Sequence, residues 1–289
     1  MNTGSKRIAS LLMLALAAAL WSIGGLLIKL VNAHPMAIAG IRSAISGLFV
    51  LAYVKKPKFT WSFPQVAAAA AYALTVITFV SANKYTTAAN AILLQYTAPI
   101  YVAIFSGWLL KEKPLLLDWL AIFAVFGGMA LFFMEDIDSR GLLGNILAII
   151  SGVGFGLFPV FMRMQKDGSP IESVLLGNAL TAVVGIPFLF VSAPKTGTEW
   201  IYLVVLGAVQ LGIPYILYSK AIRYATAIEA SLVTVVEPIL NPVWVLIFLN
   251  EKPGILAILG GLIVVGAVTI RCVIEPNRPA DNAESLESC

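Results

Sequence analysis

The sequence predicts an all-α integral membrane protein of ten transmembrane helices, arranged as two inverted five-helix repeats. Three observations carry that expectation. The 289 residues are 60% apolar and 12% charged, with a mean hydropathy of +0.91, whereas a soluble chain is about half apolar and about a quarter charged. The apolar residues gather in ten runs, each near the roughly 20 residues that a helix needs to cross a bilayer. One passage is written twice, as KYTTAANAILLQYTAPIYVAIFSGWLLKEKP at 84–114 and as RYATAIEASLVTVVEPILNPVWVLIFLNEKP at 223–253. Aligned without a gap, 11 of the 31 positions are identical.

The first run, 8–31, follows Lys6 and Arg7 and begins like a signal peptide. It continues through Trp21 to Val31 with only Lys29 intervening, so it reads as a first membrane helix. The second, 35–54, opens on Pro35 and stops at KKPKF; the third covers 63–81. The fourth, 88–110, and the ninth, 227–249, lie in the repeated passage and stop at KEKP and NEKP. The fifth, 115–133, ends before the acidic EDIDSRG loop. The sixth, 142–164, ends before KDGSP, and the seventh, 170–192, starts on that proline. The eighth is 200–221 and the tenth 254–274. The runs are too long for strands and lack the alternation of a membrane barrel. The polar tail, 276–289, reads as disordered.

The repeats are 1–137 and 138–275. Five is odd, so the second copy enters the membrane from the opposite side. With the N-terminus in the cytoplasm, 13 Lys and Arg fall in cytoplasmic segments and 4 (Lys84, Arg140, Lys195 and Lys252) in outer loops. This bias places both termini in the cytoplasm of a multi-pass cell-membrane protein. It also accounts for the +4 net charge without nucleic acid. Two cysteines, Cys272 and Cys289, write no disulfide framework, and the single histidine, His34, cannot supply a histidine zinc site or a triad. No phosphate-binding loop is present, and nothing calls for a cofactor. Inverted repeats are the architecture of many secondary transporters, where two half-structures exchange inward- and outward-open states.

ALWSIGGLLIK in the first span, PMAIAGIRSAISG in the second, and the twin TAANA…P…KEKP and TAIEA…P…NEKP stretches together resemble the EamA family of the drug/metabolite transporter superfamily. The resemblance covers nearly the whole chain apart from the tail. It implies a ten-helix basket around a central cavity lined mainly by the first four spans of each half. It also implies export of amino acids or other small metabolites, or sugar-phosphate and nucleotide-sugar exchange as in related families. The copies differ within that pattern: Gly177 falls where the first half has Arg42.

Ionisable groups at membrane depth are costly and mark function by default. Glu237 sits near the middle of the ninth span, roughly 15 Å from either end at 1.5 Å per residue. With Thr234, Asn241 and Trp244 it forms one polar stripe. A carboxylate removed from water favours its neutral form, which suits proton coupling or an ammonium partner; it could also simply bridge helices. Arg42 lies about two turns inside the second span. It could hold a substrate carboxylate, pair with Glu237, or snorkel to the headgroups. Trp21 is mid-span, as a cavity wall or as packing. Pro99 and Pro238 are repeat-related candidate hinges, since proline frees backbone carbonyls. Gln95 and Tyr96 beside Pro99, and Tyr215 and Tyr218 on the eighth span, complete the candidate substrate contacts. The expected function is a secondary transporter of a small polar metabolite, in contact with lipid and able to couple to protons. The alternatives are a passive channel and an intramembrane enzyme.

Overall fold

The computed structural model describes residues 3–112, 114–132, 134, 141–240 and 255–274, and among them every regular element is helical. The first predicted span is two helices, α1 (Thr3–Trp21) and α2 (Gly24–Leu30); α3 (Pro35–Val54) and α4 (Phe63–Tyr85) are continuous. The fourth span is split into α5 (Ala88–Gln95) and α6 (Ala98–Phe105), followed by a π-helical turn, Ser106–Leu110. α7 (Leu116–Phe132) and α8 (Leu142–Arg163) are continuous. α9 (Pro170–Gly185) ends in a 3-10 turn, Ile186–Phe190. α10 (Gly197–Val205) passes through a π-helical stretch, Leu206–Gly212, into α11 (Ile213–Ala221). α12 (Ala227–Val233) breaks at Thr234 and Val235 before helix resumes over 236–240, and α13 (Ile255–Ile274) is the last described element.

The repeated passage repeats its local physics. Thr87 caps α5 by accepting from Asn90 N at 3.1 Å, and Thr226 caps α12 by accepting from Glu229 N at 3.2 Å. Each such cap stabilises its helix by about 1 kcal/mol. The breaks also recur. Pro99 and Pro238 lack the N–H that would bond the carbonyl four residues earlier, Gln95 O and Thr234 O. Spans four and nine are thus interrupted at the expected proline hinges, and span one is interrupted after Trp21 without a proline.

Among the described residues, seven helices are long and apolar enough to cross a membrane, with two shorter apolar ones at Leu116–Leu131 and Ile258–Ile274. Large apolar side chains stay exposed around the bundle, including Leu48, Phe123, Leu142, Val183 and Leu262, as a lipid-facing surface requires. Inside, α4 packs on α8, α3 on α9, α1 on α11 and α7 on α13, while α5 and α6 lean on α8. α3 and α9 approach so closely that a Cβ on Gly40 would sit 2.6 Å from the Gly185 carbonyl carbon; small residues permit such contacts in membranes.

Polar contacts collect at two ends of the bundle. At the Arg7 end, Arg271 donates to Asp118 at 2.9 Å and to Glu229 at 2.9 Å, and Arg7 Nε also donates to Glu229 at 2.9 Å. Arg163 donates to Glu112 at 3.1 Å and to the carbonyls of Ile222 and Arg223, and Arg223 reaches Gly168 O at 2.7 Å. At the Lys84 end, Lys84 donates to Val31 O at 2.6 Å and Lys29 to Thr86 O at 3.2 Å. Asn145 Oδ1 accepts there from Thr86 at 2.8 Å and from Asn90 at 3.1 Å, and Asn32 N donates to Glu199 at 3.0 Å. Asn241, the stripe residue Trp244, the second Glu-Lys-Pro and the tail lie outside the described residues.

Candidate functional site

Residues beside all three helix breaks line one central cavity: Trp21 next to Ser22–Ile23, Gln95 next to Tyr96–Thr97, and Glu237 just after Thr234–Val235. α3 contributes Arg42, α4 contributes Thr75, Val76 and Phe79, and α8 contributes Phe155. Gln210 and Leu211 come from the π-helical stretch and Tyr215 from α11. The volume open to water centres is about 40 Å³, room for a few waters. Arg42 is 2% and Glu237 8% exposed, so both charged side chains are largely withdrawn from bulk water.

Glu237 is held by Tyr96. The tyrosine hydroxyl lies 2.6 Å from Glu237 Oε2 and 2.8 Å from Thr234 O, the carbonyl that Pro238 leaves without its helical donor. One hydroxyl carries one proton. With Glu237 ionised, Tyr96 donates to the carboxylate. With Glu237 protonated, the carboxyl donates to Tyr96, and Tyr96 donates to Thr234 O. Both protonation states are thus hydrogen-bonded in the same geometry, and moving between them requires only that the hydroxyl reorient.

Arg42 makes no ion pair with Glu237. Among the described residues its Nη1 reaches only Gln210 Oε1, at 3.4 Å, and Gln210 Nε2 in turn reaches Trp21 O at the α1 break, also at 3.4 Å. Both contacts are long for hydrogen bonds. Gly24 makes the slot for this amide, since a Cβ there would lie 2.5 Å from Gln210 Nε2. Among the described residues, Arg42 Nε and Trp21 Nε1 are buried without a hydrogen-bond partner. Gln95 is better anchored, donating to Ser151 at 2.8 Å, which in turn donates to Thr75 O. The aromatic wall is Trp21 against Tyr215 at 5.0 Å and Phe155 at 5.9 Å between ring centroids.

Trp21, Arg42, Gln95, Tyr215 and Glu237 therefore share the cavity, and Tyr96 joins it through its hydroxyl. Tyr218 stands behind, packed on Trp21 at 5.8 Å and on Phe158, and does not line it. Arg42 is buried rather than snorkelled: it lines the cavity and reaches Gln210 on the π-helical stretch. Thr75, Val76, Phe79, Phe155 and Leu211 were not anticipated; on α4 their only signal is the i, i+1, i+4 spacing of 75, 76 and 79. The Arg7–Glu229–Arg271–Asp118 network was missed too; its one trace is the Thr-x-x-Glu capping box at 226–229. Among the described residues no three His, Cys, Asp or Glu side chains converge as metal ligands.

The sequence pattern described as the EamA-like transporter family matches residues 8–134 and 142–271. An uncharacterized transporter of Archaeoglobus fulgidus is 25% identical over 281 residues, covering 89% of this chain and 95% of the relative. The uncharacterized transporter YvbV of Bacillus subtilis is 24% identical, covering 95% and 94%. The pseudopaline exporter CntI of Pseudomonas aeruginosa is 24% identical over 201 residues, covering 68% and 69%. A protein crystal structure matches in fold with a TM-score of 0.77 at 18% identity, over 93% of this chain and 98% of that one.

Proposed function

The chain belongs to the EamA-like transporter family, and from that premise we propose that it exports a small polar metabolite, an amino acid or related compound, by alternating access through the central cavity. The observation that carries this reading is the convergence of three interrupted helices on one cavity lined by polar and aromatic side chains. Discontinuous helices are tolerated in a membrane where they line a binding cavity, and substrate sites of secondary transporters are built from them. The pseudopaline exporter among the relatives supports the outward direction.

Two five-helix halves of opposite sense, 1–137 and 138–275, fit the packing. The second span meets the seventh (α3 on α9) and the fifth meets the tenth (α7 on α13). The third meets the sixth (α4 on α8), as the eighth meets the first (α11 on α1). Exchanging the halves turns this set of pairs into itself. The twins Lys84 and Arg223 hold carbonyls at opposite ends of the bundle. In the proposed orientation the Arg7 end is cytoplasmic, with both termini there. Maleimide labelling of single cysteines at 84 and 223 should then mark opposite membrane faces; labelling on one face overturns the inverted arrangement.

Glu237 and Tyr96 form the proton-coupling pair, with Pro99 and Pro238 as the hinges beside them. A cation or a proton competes for the same carboxylate, which is the linkage an exporter driven by inward proton flow needs. In proteoliposomes the protein should catalyse saturable counterflow of an amino-acid-like solute that depends on pH. Glu237→Gln should retain expression and lose the pH dependence. A pH profile unchanged by the substitution removes Glu237 from coupling, and conductance without counterflow overturns the carrier reading.

A further inference from the structure

We propose that Arg42 and Trp21, with Gln210 as a displaceable place-holder, form a subsite for a carboxylate group. That this carboxylate belongs to the exported solute rests on the transport reading above.

A guanidinium keeps its charge at any accessible pH. Arg42 is 2% exposed, has one long contact to a neutral amide, and leaves Nε without an acceptor. The carboxylate that shares its cavity is engaged by Tyr96 instead. A buried charge with so little compensation is costly. Trp21 Nε1 is a second buried donor on the same cavity, with no acceptor among the described residues, on a residue 4% exposed. Two unpaired donors, one of them cationic, demand an acceptor with a negative charge.

Gln210 partly meets that demand. Its amide spans from Arg42 to the Trp21 carbonyl through two 3.4 Å contacts, so little is lost when it withdraws. It sits on a π-helical stretch, a local irregularity that recurs at functional sites. A carboxylate can take the Arg42 fork in two-point fashion and still accept from Trp21. Charge favours a carboxylate over a phosphate: one guanidinium balances one negative charge, whereas a phosphate monoester near neutral pH carries about −1.5 to −2 and would share the cavity with Glu237. A solute that also carries an ammonium would find Glu237 on the same cavity.

The test uses the full-length protein in detergent, with acetate as the carboxylate and acetamide as its neutral isostere, at ionic strength matched with sodium chloride. Protection against thermal unfolding should reach half-effect at a concentration about tenfold lower for acetate, the difference expected of one charge-assisted hydrogen bond. Arg42→Gln should erase the preference, and Trp21→Phe, which keeps the ring packing, should shrink it about threefold. Equal protection by the two probes in the wild type overturns the subsite, as does a full preference in Arg42→Gln. If that variant does not fold, an undiminished preference in Trp21→Phe overturns it. Acetate selectivity without counterflow of any solute would sink the transport reading and leave the subsite standing; counterflow without acetate selectivity would do the reverse.

Discussion

The two ends of the bundle are built on the same backbone devices and finished with different chemistry. At the Arg7 end, Thr226 caps α12 and the residue three further on is Glu229; at the Lys84 end, Thr87 caps α5 and the corresponding residue is Asn90. Glu229 accepts from two arginines, and one of these continues to Asp118, so four elements are joined by buried charge. Asn90 bonds Asn145 and Thr86, all neutral. The cations differ in kind as well. Arg163 serves Glu112 and two carbonyls at once, while its counterpart Lys29 donates to one carbonyl. The same capping device thus stands beside an ionic clasp at one end and an amide clasp at the other.

Breaking a buried ion network by removing one member leaves the remaining charges uncompensated, at about 3–5 kcal/mol. Glu229→Ala should therefore lower the thermal unfolding midpoint in detergent far more than Asn90→Ala, for which the loss of neutral hydrogen bonds costs about 1 kcal/mol. Equal losses at the two positions would break the comparison. The smallest effect belongs to the shared device. Thr87→Ala should cost about 1 kcal/mol as an N-cap, and Thr226→Ala should match it if the scaffold is common to both ends. A Thr226→Ala loss as large as that of Glu229→Ala would show that this cap mainly positions the carboxylate.

The membrane-helix architecture was legible because long apolar runs and short polar connectors leave few alternatives. Pro99 and Pro238 pointed to the breaks in spans four and nine through the donor each lacks. The break after Trp21 has no proline to announce it. Only the structure shows that Gly24 clears room for Gln210, a residue 186 positions away. Glu237 was conspicuous as a charge at mid-span. Whether Arg42 faced lipid, Glu237 or the cavity turned on the rotation of α3, which an apolar helix with a low contrast between its faces does not write. The ion network escaped because Arg271 and Asp118 are 153 residues apart, and each alone resembles an ordinary charge at a helix end.

The three breaks around the cavity have a mechanical consequence. A rigid rod that tilts at one end must swing at the other, so a bundle of unbroken rods could open only as a see-saw. Spans one, four and nine are jointed beside the cavity, whereas α8 is an uncut mast against which spans four and nine lean, with Gly152 close to the Gln95 carbonyl. Under the alternating-access reading proposed above, each jointed piece would fold outward by itself, so that one doorway swings open while the opposite one stays bolted.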